Sequence, residues 1–249
     1  MSDIIFKEKK NIAILTLSRE KTLNAWTSQI RKKICNIFSE IKKKKRIKAV
    51  IITGSGYKAF CSGQDLNEIK NFKSKNVNKW INEFKEVYVA VRSAEIPVIG
   101  AINGIAAGSG FQLALLTDIR VSHSKARFGQ VEINSGVVSV IGPWIIEKVL
   151  GMSKTIELCL TGKLIDGKEA KKIGIVHYLT KKNKVMFLSL KIAKQLSEKP
   201  NKAMKLTKKR IWEMFRKDMN NVFEKAKMYH RQSFDSGEPQ KKSKYFLKK

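Results

Sequence analysis

Residues 97–124 read PVIGAINGIAAGSGFQLALLTDIRVSHS, and this stretch decides the fold. PVIGAI (97–102) is a short apolar run bounded by Pro97 and Gly104, which predicts a buried strand. Gly104 to Gly110 is loose backbone. The apolar run from Phe111 predicts a helix, and IRVSHS (119–124) a second strand. Strand, glycine-rich loop, helix and strand in that order form a crossover unit, the building block of an α/β core with a parallel sheet. One residue disturbs the pattern: Gln112 places a polar amide one turn into the apolar helix.

Working outward, the same alternation holds. NIAILTLS (11–18) and AVIITG (49–54) read as buried strands. Ile30, Ile34, Ile37, Phe38 and Ile41 have helical spacing within 27–45, with Thr27 as N-cap. Trp80, Phe84, Val87 and Val91 give a stripe along a helix over 76–93. From about residue 140 the pattern turns helical, over 141–150, 153–161, 166–173 and 185–198. IVHYL (175–179) is the one strand-like piece there. A longer helix is expected after Pro200, carrying Ile211, Met214, Phe215, Val222, Ala226 and Tyr229. The tail after Gly237, EPQKKSKYFLKK, is polar and is expected to be loosely held. The domain reading is an α/β core over 1–195 and a C-terminal helical region with a basic tail over 196–249.

The chain has 249 residues, 43% of them hydrophobic, enough for one large core. No apolar run reaches the length of a membrane span, and the charged start MSDIIFKEKK does not read as a signal peptide. Cys35, Cys61 and Cys159 are odd in number and without a CxxC, as expected of free thiols in a reducing cytoplasm. The formal net charge is +30. Its lysines are spread over every segment, dense only at 42–46 and in the tail from Lys241, and aromatics are not interleaved with them. We read them as solvated surface rather than as a nucleic-acid footprint.

Chemistry is expected in two loops. Lys58-Ala59-Phe60-Cys61-Ser62-Gly63-Gln64-Asp65 follows strand 49–54, and Gly104 to Gly110 follows strand 97–102. Ligands of open α/β layers gather where strand carboxyl ends meet helix N-termini. The first turn of a helix leaves N–H donors free, and two such donors from separate loops can hold one oxygen that becomes negative. Gly63, Gly108 and Gly110 permit the close approach. No GxGxxG, P-loop or zinc spacing is present. Glu132 stands in the largely apolar ARFGQVEI (126–133), where burial would raise its pKa toward proton-transfer duty; a Glu merely bonded to backbone at a loop start is the plain alternative.

Three ordered motifs, AFCSGQDLNEI (59–69), GIAAGSGFQLALLTDIRV (104–121) and ARFGQVEINSG (126–136), resemble the crotonase superfamily of enoyl-CoA hydratases and isomerases. LSREKTLNAW (17–26) and LTGKLIDGKEAKKIGIV (160–176) extend the resemblance over residues 4–235. It implies a spiral of ββα units, a C-terminal helical trimerisation region, and a homotrimer or hexamer. It implies an acyl-CoA thioester as substrate, with coenzyme A entering only as part of that substrate and with no permanently bound cofactor or metal. The backbone N–H groups of Gln64 and Ser109 would hold the thioester oxygen. Lys21, Leu23, Lys58, Phe60, Gly63 and Gly108 would line the substrate.

Hydratases of this family use two glutamates, and here the first position is Gln112 while the second is Glu132. An amide cannot transfer a proton. The pattern therefore fits single-carboxylate isomerases better than hydratases. GSGFQLAL together with MYHRQSF (228–234) and NKWINEFKEVYVAV (78–91) also resembles carboxymethylproline synthases, which decarboxylate malonyl-CoA and form a C–C bond. That resemblance adds Trp80 and His230 to the site. Plainer readings are a core position on the helix stripe for Trp80 and a cation at a helix C-terminus for His230. Family members without catalysis that bind RNA are a further alternative.

Overall fold

The run 49–54 shows why this chain layers as it does. Ala49 and Ile51 point to one face, Val50 and Ile52 to the other, and all four are fully buried. A strand with two apolar faces needs a layer on each. In the computed structural model, which describes residues 3–248, the chain opens with β1 (Ile4–Lys9), β2 (Ile12–Leu17), α1 (Ser28–Lys43), β3 (Ala49–Gly54), β4 (Ala59–Cys61), α2 (Leu66–Ile69) and α3 (Val77–Arg92). It continues with β5 (Val98–Ala101), β6 (Ile105–Ala107), α4 (Ser109–Leu116), β7 (Ile119–His123), β8 (Arg127–Gly129) and α5 (Ile141–Thr161). It closes with β9 (Ile165–Asp166), α6 (Gly167–Lys172), β10 (Tyr178–Thr180), α7 (Val185–Ser197), α8 (Asn201–Phe215), α9 (Met219–Asp235) and α10 (Glu238–Phe246).

The main sheet has the order β1-β2-β3-β5-β7-β10, parallel except for β1. A second sheet has the order β4-β6-β8-β9, with β4, β6 and β8 parallel. Three times in succession the chain lays one strand in the main sheet, the next in the small sheet, and then turns into helix: β3-β4, β5-β6 and β7-β8. This is the spiral of ββα units. On one face of the main sheet, Ile12, Ala49, Ile51, Ile99, Ala101 and Val121 pack against Val185, Ile192 and Ala193 of α7. The other face belongs to the larger core, with Leu15, Leu17, Val50, Ile52 and Val98 under α1 and α3. Thr27 caps α1, its Oγ1 accepting from the Ile30 N–H at 3.4 Å.

The structure corrects several expectations. The loops expected at 58–65 and 104–110 contain strands, β4 and β6; like β8 these have three residues each, too few to show a period. The strand in the C-terminal half is Tyr178–Thr180, two residues beyond the centre of IVHYL, beside a further pair at Ile165–Asp166. The single helix expected after Pro200 is two, broken between Phe215 and Met219, so that Phe215, Met219 and Phe223 all reach the core. Helices 141–150 and 153–161 run together through a bend at Gly151, whose φ of 75° lies outside helical geometry. The tail beyond Gly237 is helical, with Pro239 and Ser243 buried. Gly237 itself turns the chain with φ 77°.

Candidate active site

The carboxyl ends of the three parallel strands in the small sheet carry the site. Past β4 come Gly63 and Gln64, past β6 come Gly108 and Ser109, and past β8 comes Glu132. Around them lies a cavity of about 660 Å³, lined among others by Leu23, Ile81, Phe84, Val140 and Ile141.

Gln64 and Ser109, both in the lining, carry backbone N–H groups that local structure leaves over. Trp26 and Gln64 form a parallel bridge in which the Trp26 N–H donates to Gly63 O (2.9 Å) and the Asp65 N–H to Trp26 O (3.2 Å). That pattern leaves the Gln64 N–H outside the ladder. Ser109 is the first residue of α4, whose first intrahelical bond runs from the Gln112 N–H to Gly108 O at 3.0 Å. The Ser109 N–H therefore has no acceptor within the helix, and the helix dipole favours negative charge beside it. Gly63 brings the two together: a Cβ there would lie 3.4 Å from Ser109 N and 2.8 Å from Ala107 O, and its φ is +97°.

The side chains of both residues are tied down. Gln64 Oε1 accepts from Arg31 Nη1 (2.7 Å) and Trp80 Nε1 (3.2 Å), and Gln64 Nε2 donates to Glu68 Oε2 (2.7 Å). Arg31, 1% exposed, also pairs with Glu83 at 2.9 Å. Ser109 Oγ accepts from the buried Trp26 Nε1 at 2.9 Å. Sequence reasoning missed Arg31, Glu83 and Trp26. A charged residue in a helix reads as surface, and nothing local marks Arg31 as buried.

Glu132 opens a short 3-10 turn, Glu132–Ser135. Its Oε1 accepts from Gln112 Nε2 at 3.1 Å, and its Oε2 is buried without a hydrogen-bond partner. Burial pushes its pKa up to about 7, against the pull of its own backbone and of Gln130. Gly108 makes room for it: a Cβ there would come within 3.1 Å of Glu132 Oε1. On its other side Gln112 Oε1 accepts from the hydroxyl of Tyr88, which is fully buried. Trp80, Phe84 and Tyr88 recur every fourth residue of α3, a spacing that could have shown Tyr88 on the same face. Asp65, the other carboxylate in the lining, is held below its usual range; Arg19 at 2.7 Å and the Asn67 N–H outweigh its burial.

Lys21, Leu23, Gly63, Gln64, Trp80, Gly108, Ser109, Gln112, Glu132 and His230 all meet at this cavity. Two residues do not. Phe60 is fully buried in the main core, and Lys58 is exposed outside the lining. His230 is not the cation that a helix end would favour. Burial lowers its pKa to about 4, and its Nδ1 donates to Ala226 O at 2.7 Å, so the ring is neutral with Nε2 as acceptor. The ring stands edge-on to Trp80, centroids 5.2 Å apart. Phe246 and Leu247 from the C-terminal tail complete the lining. Among the described residues no cluster of His, Cys, Asp and Glu could hold a metal, and no helix is long and apolar enough to cross a membrane.

Comparison with known proteins agrees with this architecture. The sequence model described as enoyl-CoA hydratase/isomerase matches residues 7–249. The short-chain-enoyl-CoA hydratase of Clostridium acetobutylicum is 32% identical over 212 residues, 85% of this chain and 81% of that one. Mouse mitochondrial methylglutaconyl-CoA hydratase is 30% identical over 178 residues, 71% of this chain and 57% of that one. Among solved structures, an enoyl-CoA hydratase from Bacillus anthracis superposes with a TM-score of 0.82 at 27% identity, covering 92% of this chain and 90% of that one. An enoyl-CoA hydratase/isomerase from Mycobacterium paratuberculosis shares the fold with a TM-score of 0.90 over 98% of both chains, at 23% identity.

Proposed function

The chain belongs to the enoyl-CoA hydratase/isomerase family, the crotonase superfamily, and from that premise we propose that it moves a proton on an acyl-CoA thioester through an enolate, using Glu132 as its single acid–base group. The thioester oxygen accepts from the Gln64 and Ser109 N–H groups, which interact most strongly when that oxygen carries the full enolate charge. Glu132 removes the α-proton and returns it at the γ-carbon, so the double bond shifts and no atom is gained or lost. A carboxyl that titrates near pH 7 is suited to both steps. Lys21 at the cavity rim suits the phosphates of coenzyme A. Trp80 and His230 wall the acyl end.

The observation that carries this reading is one carboxylate, half-buried and with Oε2 enclosed, paired at 3.1 Å with an amide. Addition of water across a double bond calls for a second proton-transferring group, and Gln112 offers none. The test is a panel of crotonyl-, 3-enoyl- and malonyl-CoA with products read by mass spectrometry. We expect conversion of 3-enoyl- to 2-enoyl-CoA and slow hydration of crotonyl-CoA. Hydration at a hydratase-like rate would sink the role given to Gln112.

A second reading, carboxymethylproline synthase-like decarboxylation of malonyl-CoA followed by C–C bond formation, draws support from the neutral His230. Its free Nε2 could orient a second substrate that bears a donor. Release of CO2 from malonyl-CoA with inert 3-enoyl-CoA favours that reading. Retention of RNA without affinity for any acyl-CoA would overturn both. For assembly we propose a homotrimer or hexamer, supported by Met152, Ile156 and Leu160. They are exposed every fourth residue along α5.

A further inference from the structure

We infer that Tyr88 is a positioning residue for Glu132: its hydroxyl fixes the Gln112 amide with the NH2 toward Glu132 Oε1, and so leaves Oε2 as the oxygen that carries the proton. The last step, the use of that proton on substrate, rests on the function proposed above. The relay itself does not.

The argument starts from what each group can do. A carboxylate only accepts, an amide has one donor end and one acceptor end, and a phenol can do either. Gln112 lies between Tyr88 and Glu132 and is itself 5% exposed, so its two ends must find partners inside the protein. Tyr88 is enclosed by the rings of Phe84 and Phe223, with centroids 6.2 Å and 5.8 Å away. Burial, and then the charge of Glu132, hold its pKa well above the ordinary value, so it remains a hydroxyl and a donor. Its proton goes to Gln112 Oε1. The amide is thereby turned so that Nε2 donates to Glu132 Oε1.

This orientation selects between the two carboxyl oxygens. A proton on Oε2 leaves Oε1 free to keep accepting from Gln112, so nothing in the relay moves when Glu132 changes state. A proton on Oε1 would cost that bond or require the amide to flip against Tyr88. Oε2 is also the oxygen that is buried and without a partner. The position where hydratases hold a carboxylate here holds a dipole whose direction is set from α3.

The groups that face the pair are few. Besides its bond to Gln112, Glu132 acts through its charge on Tyr88 of α3 and Cys159 of α5 and feels the pull of Gln130 from its own loop. Burial, helped by the charge of Glu132, pushes the Cys159 thiol up to about 12, so it stays neutral. Tyr88 is met in turn by Arg31 from α1 and Cys61 from β4. Arg31 is paired with Glu83, and burial pushes Cys61 up to about 12. His230 from α9, which lines the same cavity, is neutral. Tyr88, Cys61 and Cys159 are shifted upward and His230 downward, away from the midpoint of Glu132.

The experiment is a titration of 13C-carboxyl-labelled glutamates in the ligand-free protein, with Glu132 assigned by its loss in Glu132→Gln. Tyr88→Phe removes one oxygen and weakens the bond to the charged form, so the midpoint should rise by roughly half to one unit. Gln112→Leu should raise it at least as far, and adding Tyr88→Phe to Gln112→Leu should raise it no further. 3-Fluorotyrosine placed at 88, a stronger donor of similar shape, should lower it. With substrate, the ascending limb of the pH profile of kcat/KM should follow the same shifts. A merely structural Tyr88 would change thermal stability and leave the midpoint in place. An unmoved midpoint in both Tyr88 variants, or an equal rise from Tyr88→Phe with and without Gln112, overturns the relay. Because the titration needs no substrate, a chain that turns over no acyl-CoA still reads the relay, and intact turnover with an unmoved midpoint rejects the relay alone.

Discussion

The cavity holds two glutamines, and they are used in opposite ways. Gln64 sits in the loop after β4. Its side chain is bound by Arg31, Trp80 and Glu68, and what we propose it offers the cavity is its backbone N–H. Gln112 sits one turn into α4. Its backbone is spent within the helix, and what it offers is its side chain, between Tyr88 and Glu132. The first region is a charged network that makes a rigid donor. The second is a nearly apolar pocket that makes a carboxylate weakly acidic. Stabilising an enolate calls for fixed dipoles, whereas moving a proton calls for a group near its own midpoint.

The two regions should fail differently when broken. Glu132→Ala should lower turnover by about a thousandfold while acyl-CoA affinity is kept, since only the proposed proton carrier is lost; steady-state kinetics beside calorimetry checks this, and unchanged turnover would remove Glu132 from the mechanism. Arg31→Met should act on stability first. It leaves Glu83 buried and unpaired, at a cost of about 3–5 kcal/mol, and Arg31→Met with Glu83→Leu should recover much of it in denaturant melts.

A third effect has its own sign in pH. Glu132 has an ordinary value of 4.5 and a folded value of about 7. Between these the folded protein binds more protons than the unfolded chain, so stability falls as pH rises through that window. Glu132→Gln should therefore match the wild type near pH 4 and exceed it at pH 8, by up to about 3 kcal/mol. Melts that differ equally at both pH values would exclude a burial penalty on this carboxyl. The smallest effect is expected at the tail. Phe246→Ser with Leu247→Ser removes apolar lining that is about two-fifths exposed. It should weaken acyl-CoA binding by roughly tenfold or less, with kcat unchanged.

The legibility of the site follows the same division. Gly63, Gly108 and Glu132 stand out because each breaks its local pattern: glycines before helices, and a charge in an apolar stretch. Arg31 and Tyr88 break nothing. One is a basic residue in a lysine-rich amphipathic helix, and the other an aromatic in register with Trp80 and Phe84 that reads as one more core residue. Both become informative only through partners from other helices: Arg31 reaches Glu83, 52 residues on, and Tyr88 reaches Gln112, 24 residues on. The polar tail misled for a related reason. Its composition is that of a solvated end, but two of its last residues line the cavity.

By itself the sequence determined the layers: long apolar strands that demand cover on both faces, helices whose stripes provide it, and ordered motifs that place the chain in its family. Those signals are local, because burial and period act over neighbouring residues. Tertiary structure alone decided which groups meet. Three strands of three residues each, too short to be seen in the sequence, converge so that Gln64, Ser109 and Glu132 share one cavity. The state of Glu132 was decided there too. A pKa near 7 comes from the surroundings that packing builds, and no spacing of residues along the chain specifies it.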